Sequence, residues 1–361
     1  MTAFAYEIAT VLQAQEAARP NDPEGVYAMP WYLVMGRPGS GRTTAIKAMN
    51  MSWPRGDQPV AMQLPDQKCT YWFPEKAIFI EPESQVVGPS RQQGLLYELC
   101  EELKTKRPRE PIDGIVLVAS AAILADSTED GVEEYATALR RELIEVAQGL
   151  AADVPIYVVV TAVDSLWGFG DAFRWTPERR DEDPWGFSLP PSQPGNDATD
   201  QVVAQLEGLN ARVEAMCFSK LASEDDPAER TRAFQHLSEA RDLVQKLVVF
   251  MKIIAMGNAF ERAPWVRALA IGSGVPGTGH QLRHGVQRFA SLGLYPPNQS
   301  GTPTPGGMPL HAYIDAVLLP EKDLVPTHTR WRDDKLLVLL MMLGVVGWLG
   351  LTIVMVARAL Q

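Results

Sequence analysis

Residues 31–47 read WYLVMGRPGSGRTTAIK, and the reading of this stretch decides the fold. An apolar strand runs into a loop containing Gly36, Gly39, Ser40 and Gly41, and a helix opens at Arg42, Thr43 and Thr44. Glycines at this spacing let backbone N–H groups close around phosphate oxygens, and the helix N-terminus adds the positive end of its dipole. The expected nucleotide contacts are therefore Gly36, Gly39, Ser40, Gly41, Arg42, Thr43 and Thr44, with the Thr43 hydroxyl on magnesium. One position departs from this phosphate-loop layout. Arg42 stands where a Lys is required to reach the outer phosphates, and a planar, forked guanidinium cannot act as a compact ammonium between them.

Working outward, residues 4–18 have a weak helical pattern, and a polar Pro/Gly run separates them from the first strand. Residues 58–68 read as a loop, and strands at 70–73 and 77–80 form a hairpin around Pro74, Glu75 and Lys76. The second strand ends at Glu81, Pro82, Glu83 and Ser84, where an acid is placed to bind magnesium directly or through water. Glu81 is read equally well as a strand-end acid capping a neighbouring helix. Residues 91–106 predict a helix with Leu95, Leu96, Leu99 and Leu103 on one face. The apolar runs 114–120 and 155–161 read as buried parallel strands, and the helix between them, 132–150, carries Arg140 and Arg141 on its solvated side.

Residues 174–200 have loop composition, 202–215 and 226–256 are helical, 265–271 is a further strand, and a short helix is expected near 310–319. Alternating strands and helices imply an α/β fold, P-loop NTPase-like and small-GTPase-like, with a mostly parallel sheet covered on both faces. The expected units are a helix and linker (1–25), the α/β domain (26–190), a helical subdomain (191–262), a final strand, loop and helix (263–330) and an anchor (331–361).

Composition narrows the partners. The net charge of −11 over 361 residues argues against nucleic acid, which demands a clustered basic surface. Cys69, Cys100 and Cys217 lack metal-ligand spacing and read as reduced thiols, and the 5 histidines form no HExxH-type pattern. The N-terminus has no signal-peptide pattern, with Glu7, Gln13, Gln15 and Glu16 among its apolar residues. Residues 336–357, LLVLLMMLGVVGWLGLTIVMVA, carry no charge and as a helix would reach roughly 33 Å, enough for a bilayer core. Arg330, Arg332 and Lys335 precede this expected span and Arg358 follows it, so the positive-inside rule leaves the preceding domain in the cytoplasm.

The chain resembles the cytoplasmic region of the TssM (IcmF-like) inner-membrane proteins of type VI secretion systems. The resemblance is carried by PWYLVMGRPGSGRTTAI (30–46), CTYWFPEKAIFIE (69–81), LKTKRPREPIDGIVL (103–117) and VPIYVVVTAVDSLWGF (154–169). DPWGFSLP (183–190), VRALAIGSG (266–274) and LPEKDL (319–324) continue it, so that it covers roughly residues 26–358. The family usually has a membrane hairpin before this domain and a large periplasmic region after the span, and this chain shows neither pattern. The resemblance implies a bacterial inner-membrane location, with a TssL-like membrane subunit and baseplate proteins as partners, an oligomeric assembly, and a separate chain as one source of the periplasmic portion.

The resemblance also implies what a working site would contain. Members that look like GTPases carry Lys in the phosphate loop, Asp-Thr-Ala-Gly where Glu81, Pro82, Glu83 and Ser84 stand, and Thr-Lys-x-Asp where this chain has Thr161, Ala162, Val163 and Asp164. Pro82 lacks the N–H that would sense a γ-phosphate, Glu83 adds negative charge, and Ala162 cannot cover a base as a Lys stem does. Asp164 still offers an acceptor for a guanine edge. Three departures at three stations predict a pseudo-GTPase scaffold with no catalytic residue and no required cofactor, weak GTP, GDP or ATP binding with magnesium on Thr43 and Glu81 staying open. The alternative is a divergent GTPase or ATPase whose nucleotide-dependent switch controls assembly; a third reading is a membrane-tethered regulator outside secretion. Trp167, Trp175, Trp185 and Trp331 are candidate anchors for protein contacts.

Overall fold

The computed structural model describes residues 3–22, 24–49, 51–54, 56, 58–62, 64, 66–166, 185–192, 198–257, 263–272, 310 and 313–325. Eight strands form one sheet: β1 (Trp31–Met35), β2 (Ala61–Met62), β3 (Cys69–Trp72), β4 (Ile78–Pro82), β5 (Gly114–Ser120), β6 (Ile156–Thr161), β7 (Gly186–Ser188) and β8 (Val266–Ile271). Their order is β2-β3-β4-β1-β5-β6-β8-β7. The five central strands β4, β1, β5, β6 and β8 are parallel, and the edges β2-β3 and β7 run antiparallel. Helices are α1 (Ala3–Ala18), α2 (Arg42–Ala48), α3 (Leu95–Lys106), α4 (Ala121–Asp126), α5 (Glu129–Leu150), α6 (Ala198–Ser223) and α7 (Pro227–Ala255).

The apolar runs become central strands because both their faces are buried. On β1, Trp31, Leu33 and Met35 enter one apolar core with α1, α3, α5, α6 and α7, while Tyr32 and Val34 enter a second with α2 and with Leu310, Tyr313, Ile314 and Leu318. Period-two alternation thus feeds two cores from one strand. Local signals set the helix ends. Thr128 accepts the Gly131 N–H at 3.2 Å to cap α5, and Asp226 accepts the Ala228 N–H at 2.8 Å with Pro227 at the first helical position of α7.

Several expectations change. Residues 58–68 contain the edge strand β2, and the Pro-rich run contains β7, since both pair with a stronger strand already in place. Helix α3 starts at Leu95 because Gly94 is left-handed (φ 88°). Arg91, outside the helix, pairs instead with Glu145 at 2.5 Å. Arg140 is buried, not solvated: its guanidinium donates to the Ile253 carbonyl of α7 at 3.1 Å. Helix α6 extends well beyond 202–215, and 310–319 supplies one π-type turn, Ile314–Leu318. Cys69, Cys100 and Cys217 are free and buried. Among the described residues no helix is long and apolar enough to cross a membrane; the 336–357 stretch, like Trp167, Trp175 and Trp331, lies outside them.

Residues 313–325 cross the N-terminal ends of the central strands. Tyr32 donates to the Leu318 carbonyl (2.8 Å), and Tyr157 to Glu321 Oε2 (3.0 Å). Arg267 of β8, 1% exposed, pairs with both Glu321 oxygens and also donates to the Leu189 and Pro190 carbonyls. One guanidinium therefore joins β8, the segment after β7 and the last described segment.

Gly149 of α5 packs directly against α3: an added Cβ there would lie 2.6 Å from the Cys100 Cβ. The Gly149→Ala variant is expected to lose about 1–3 kcal/mol by overpacking, read as a lower urea midpoint at unchanged m-value.

Candidate functional site

Strand β1 ends at the glycine loop because β5 lies against it. A Cβ on Gly36 (φ 149°) would sit 2.4 Å from the Val118 carbonyl oxygen, so only glycine lets the chain turn there. Gly41 (φ 84°) opens α2 in the left-handed conformation, with the Thr161 Oγ1 3.2 Å from where its Cβ would be. Thr161, at the end of β6, donates to the Ser40 carbonyl at 2.6 Å and ties the loop to the next station. The Ser40 N–H donates to the Arg37 carbonyl at 3.0 Å, closing a turn, and the buried Ser40 Oγ has no partner. The first backbone bond of α2 runs from Ala45 to Gly41 at 2.7 Å, leaving the Arg42, Thr43 and Thr44 N–H groups outside the helical ladder.

Arg42 does not point into the loop. Its Nη1 donates to the Pro82 carbonyl at the end of β4 (2.7 Å), and its Nε lies 3.8 Å from Glu81 Oε1. Thr43 Oγ1 donates to that same Oε1 at 2.8 Å, and Trp72 Nε1 donates to Glu81 Oε2 at 3.0 Å. Both oxygens of the Glu81 carboxylate are thus engaged, in a position where side-chain exposure of Arg42 and Glu81 is 11% each. Glu81 and Thr43, the two expected magnesium ligands, come together, but as acceptor and donor of one hydrogen bond. A metal ion there would have to break that bond and lie beside a guanidinium. The described residues contain no group of three or more His, Cys, Asp or Glu able to hold a metal ion.

The loop has further neighbours. Arg37 stacks over the Tyr135 ring of α5 at 5.4 Å. Gly88 (φ 94°), in the segment after β4, lies against Pro38: a Cβ there would be 2.8 Å from the proline Cδ. Glu142 of α5 accepts the Gly88 N–H at 2.8 Å, and burial raises its carboxyl above the usual range. Asp164 is buried in the turn Val163–Ser165 directly after β6, at the same sheet end as the loop.

The sequence reading missed Trp72 and Lys47, whose ammonium lies 5.4 Å from the Trp72 ring, and the part of Thr161 in holding the loop. Trp72 depends on the hairpin register: the observed pairing sets Thr70 opposite Glu81, one residue away from the register of the expected hairpin, and makes Trp72 the diagonal neighbour of Glu81.

Fold and site together define an α/β protein whose central parallel strand passes through a glycine loop into a helix, with an acid of the adjacent strand closed onto that helix. The chain belongs to the IcmF-related N-terminal domain family, whose profile matches residues 89–346. It is similar to the type VI secretion system component TssM1 of Pseudomonas aeruginosa PAO1, 26% identical over 291 residues, 75% of this chain and 26% of that protein. The chain thus spans about a quarter of the length of this relative. Among solved structures it resembles a GTP-binding protein from the hyperthermophilic archaeon Sulfolobus solfataricus in complex with GDP (14% identity, 44% of this chain and 42% of that one, TM-score 0.22). A second structure, SsGBP with GDP, covers 67% of this chain and 59% of its own at TM-score 0.23 and 11% identity.

Replacing Glu81 by Ala strips the acceptor from Thr43 and Trp72 and the counter-charge from Arg42 at once. The expected loss is about 2–4 kcal/mol, read by urea unfolding. Glu81→Gln, which keeps one acceptor, is expected to lose less.

Proposed function

We propose that this chain is a scaffold component of a type VI secretion machine, with a small-GTPase-like domain whose nucleotide site is degenerate. Family membership and the relation to TssM1 support the setting. The observation that carries the degenerate reading is the direction of Arg42: the residue at the phosphate-reaching position is spent on the Pro82 carbonyl and Glu81. A charge committed to the protein's own strand end is not free to neutralise a developing phosphoryl charge. Pro82 and Glu83 act in the same sense, since the first lacks an N–H and the second adds a negative charge where a triphosphate would need positive charge.

In this reading the domain works by docking. Its acidic surface suits protein partners, a second inner-membrane subunit of the secretion membrane complex and baseplate proteins, and residues 336–357 anchor it in the inner membrane with the α/β domain in the cytoplasm. Glu81 serves as the acceptor that fixes the start of α2, and magnesium on Thr43 and Glu81 belongs only to the alternative, a divergent nucleotide switch. The retained glycine loop, Thr43 and Asp164 are what favour that alternative.

Calorimetric titration of the detergent-solubilised full chain with GTP, GDP and ATP in magnesium separates the two. The expected outcome is no binding below millimolar concentration and no magnesium-dependent phosphate release. Micromolar binding of guanine nucleotide that Thr43→Ala abolishes would overturn the degenerate reading and establish the switch.

A further inference from the structure

Phe218 of α6 and Phe234 of α7 are each 52% exposed, and they share one edge of the hairpin these helices form. The register is fixed by Arg241 Nε, which lies 2.7 Å from Glu214 Oε1. Phe218 follows Glu214 by one helical turn and Phe234 precedes Arg241 by two, so both rings stand on the side that carries this ion pair.

Helix α6 is apolar on two faces. Val202, Leu206, Leu209, Val213 and Cys217 are buried in the core that α7 shares. Two positions further along, Ala204, Gly208, Ala211, Ala215, Phe218 and Ala222 are all exposed, at the alternating intervals of four and three residues that make a coiled-coil seam. A lone helix gains nothing from such a seam in water. Gly208 adds to the case: glycine is among the poorest residues for a helix interior, and nothing lies within 4 Å of the place its Cβ would take, so no neighbour in this chain needs the space.

We propose that this face joins two copies of the chain, their α6 helices antiparallel about a two-fold axis level with Val213. The stripe is its own complement under that operation, because 204 and 222, 208 and 218, and 211 and 215 lie at equal distances from residue 213. Phe218 of each copy fills the hole at Gly208 of the other, and Ala211 meeting Ala215 lets the backbones approach closely. Charge follows the same symmetry. Glu207 is exposed and has no ion pair among the described residues. The two-fold brings it level with Leu221 of the second copy, whose carbonyl accepts from Nε of the exposed Arg230 at 3.2 Å. The like charges that the axis brings nearest to their mates, Arg212 and Glu214, are already engaged within each copy. Arg212 donates to the Gly186 carbonyl at 2.8 Å and lies over the Trp185 ring, and Glu214 is paired with Arg241.

The test is cysteine cross-linking of the detergent-solubilised full chain, whose three native cysteines are buried. Ala204→Cys and Ala222→Cys are made in separate chains, both at exposed positions, and circular dichroism confirms that each is folded. In the antiparallel pair a thiol at 204 stands about 27 Å along the axis from its mate but opposite 222 of the second copy. Mild oxidation of the two chains mixed is therefore expected to give a cross-linked dimer, and oxidation of either chain alone none. Adding Phe218→Asp to both chains is expected to weaken the dimer roughly 30-fold or more, as loss of a buried aromatic anchor does, and to abolish the cross-link at unchanged ellipticity. Cross-links within each single variant would show a parallel pair, and no cross-link in the mixture would give the face to a different protein. A cross-link indifferent to Phe218→Asp would be a product of collision. Each of these three outcomes overturns the two-fold contact.

Discussion

Everything at the upper end of this sheet depends on one carboxylate with both oxygens occupied. Glu81 receives the Thr43 hydroxyl on one oxygen and the Trp72 indole on the other, with the Arg42 guanidinium alongside. A carboxylate so little exposed is tolerable only when charge and lone pairs are both met, and here two donors, Thr43 and Trp72, meet the lone pairs while the Arg42 guanidinium meets the charge. The consequence runs outward. Helix α2 starts where Thr43 is held, Arg42 is drawn to the end of β4, and the glycine loop between β1 and α2 takes the shape those two ends impose.

That arrangement separates two properties a phosphate loop usually combines. The backbone half is intact: Gly36 and Gly41 adopt conformations that a Cβ would forbid or strain, and Thr161 braces the loop from β6. The side-chain half has been turned inward and works as internal bonding. A loop can thus persist because β1, β5 and α2 require that turn, with no ligand needed to account for its glycines.

The core of this fold was legible because its signals are local. Residues 114–120 and 156–161 are unbroken apolar runs, which only a strand buried on both faces requires, and the strand, glycine loop and helix at 31–48 carry their own start and stop. What escaped was set by distant partners. Strand β7 is three residues long and exists because β8 offers an edge, and Arg140 looks solvated until α7 supplies the Ile253 carbonyl. The site divides the same way. Thr43 and Glu81 could be paired from the motif, whereas the turn of Arg42 toward Pro82 is a rotamer outcome that no spacing encodes, and Trp72 needed the hairpin register.

The lower end of the sheet has a mechanical meaning. Whatever pulls on the chain from residue 326 onward loads residues 313–325 first, and the load passes through Glu321 into Arg267. Arg267 also grips the Leu189 and Pro190 carbonyls, so traction is divided between β8 and the segment that follows β7. Tyr32 and Tyr157 add two further fastenings on β1 and β6, so that three of the five central parallel strands share the strain before any ladder of backbone bonds has to open.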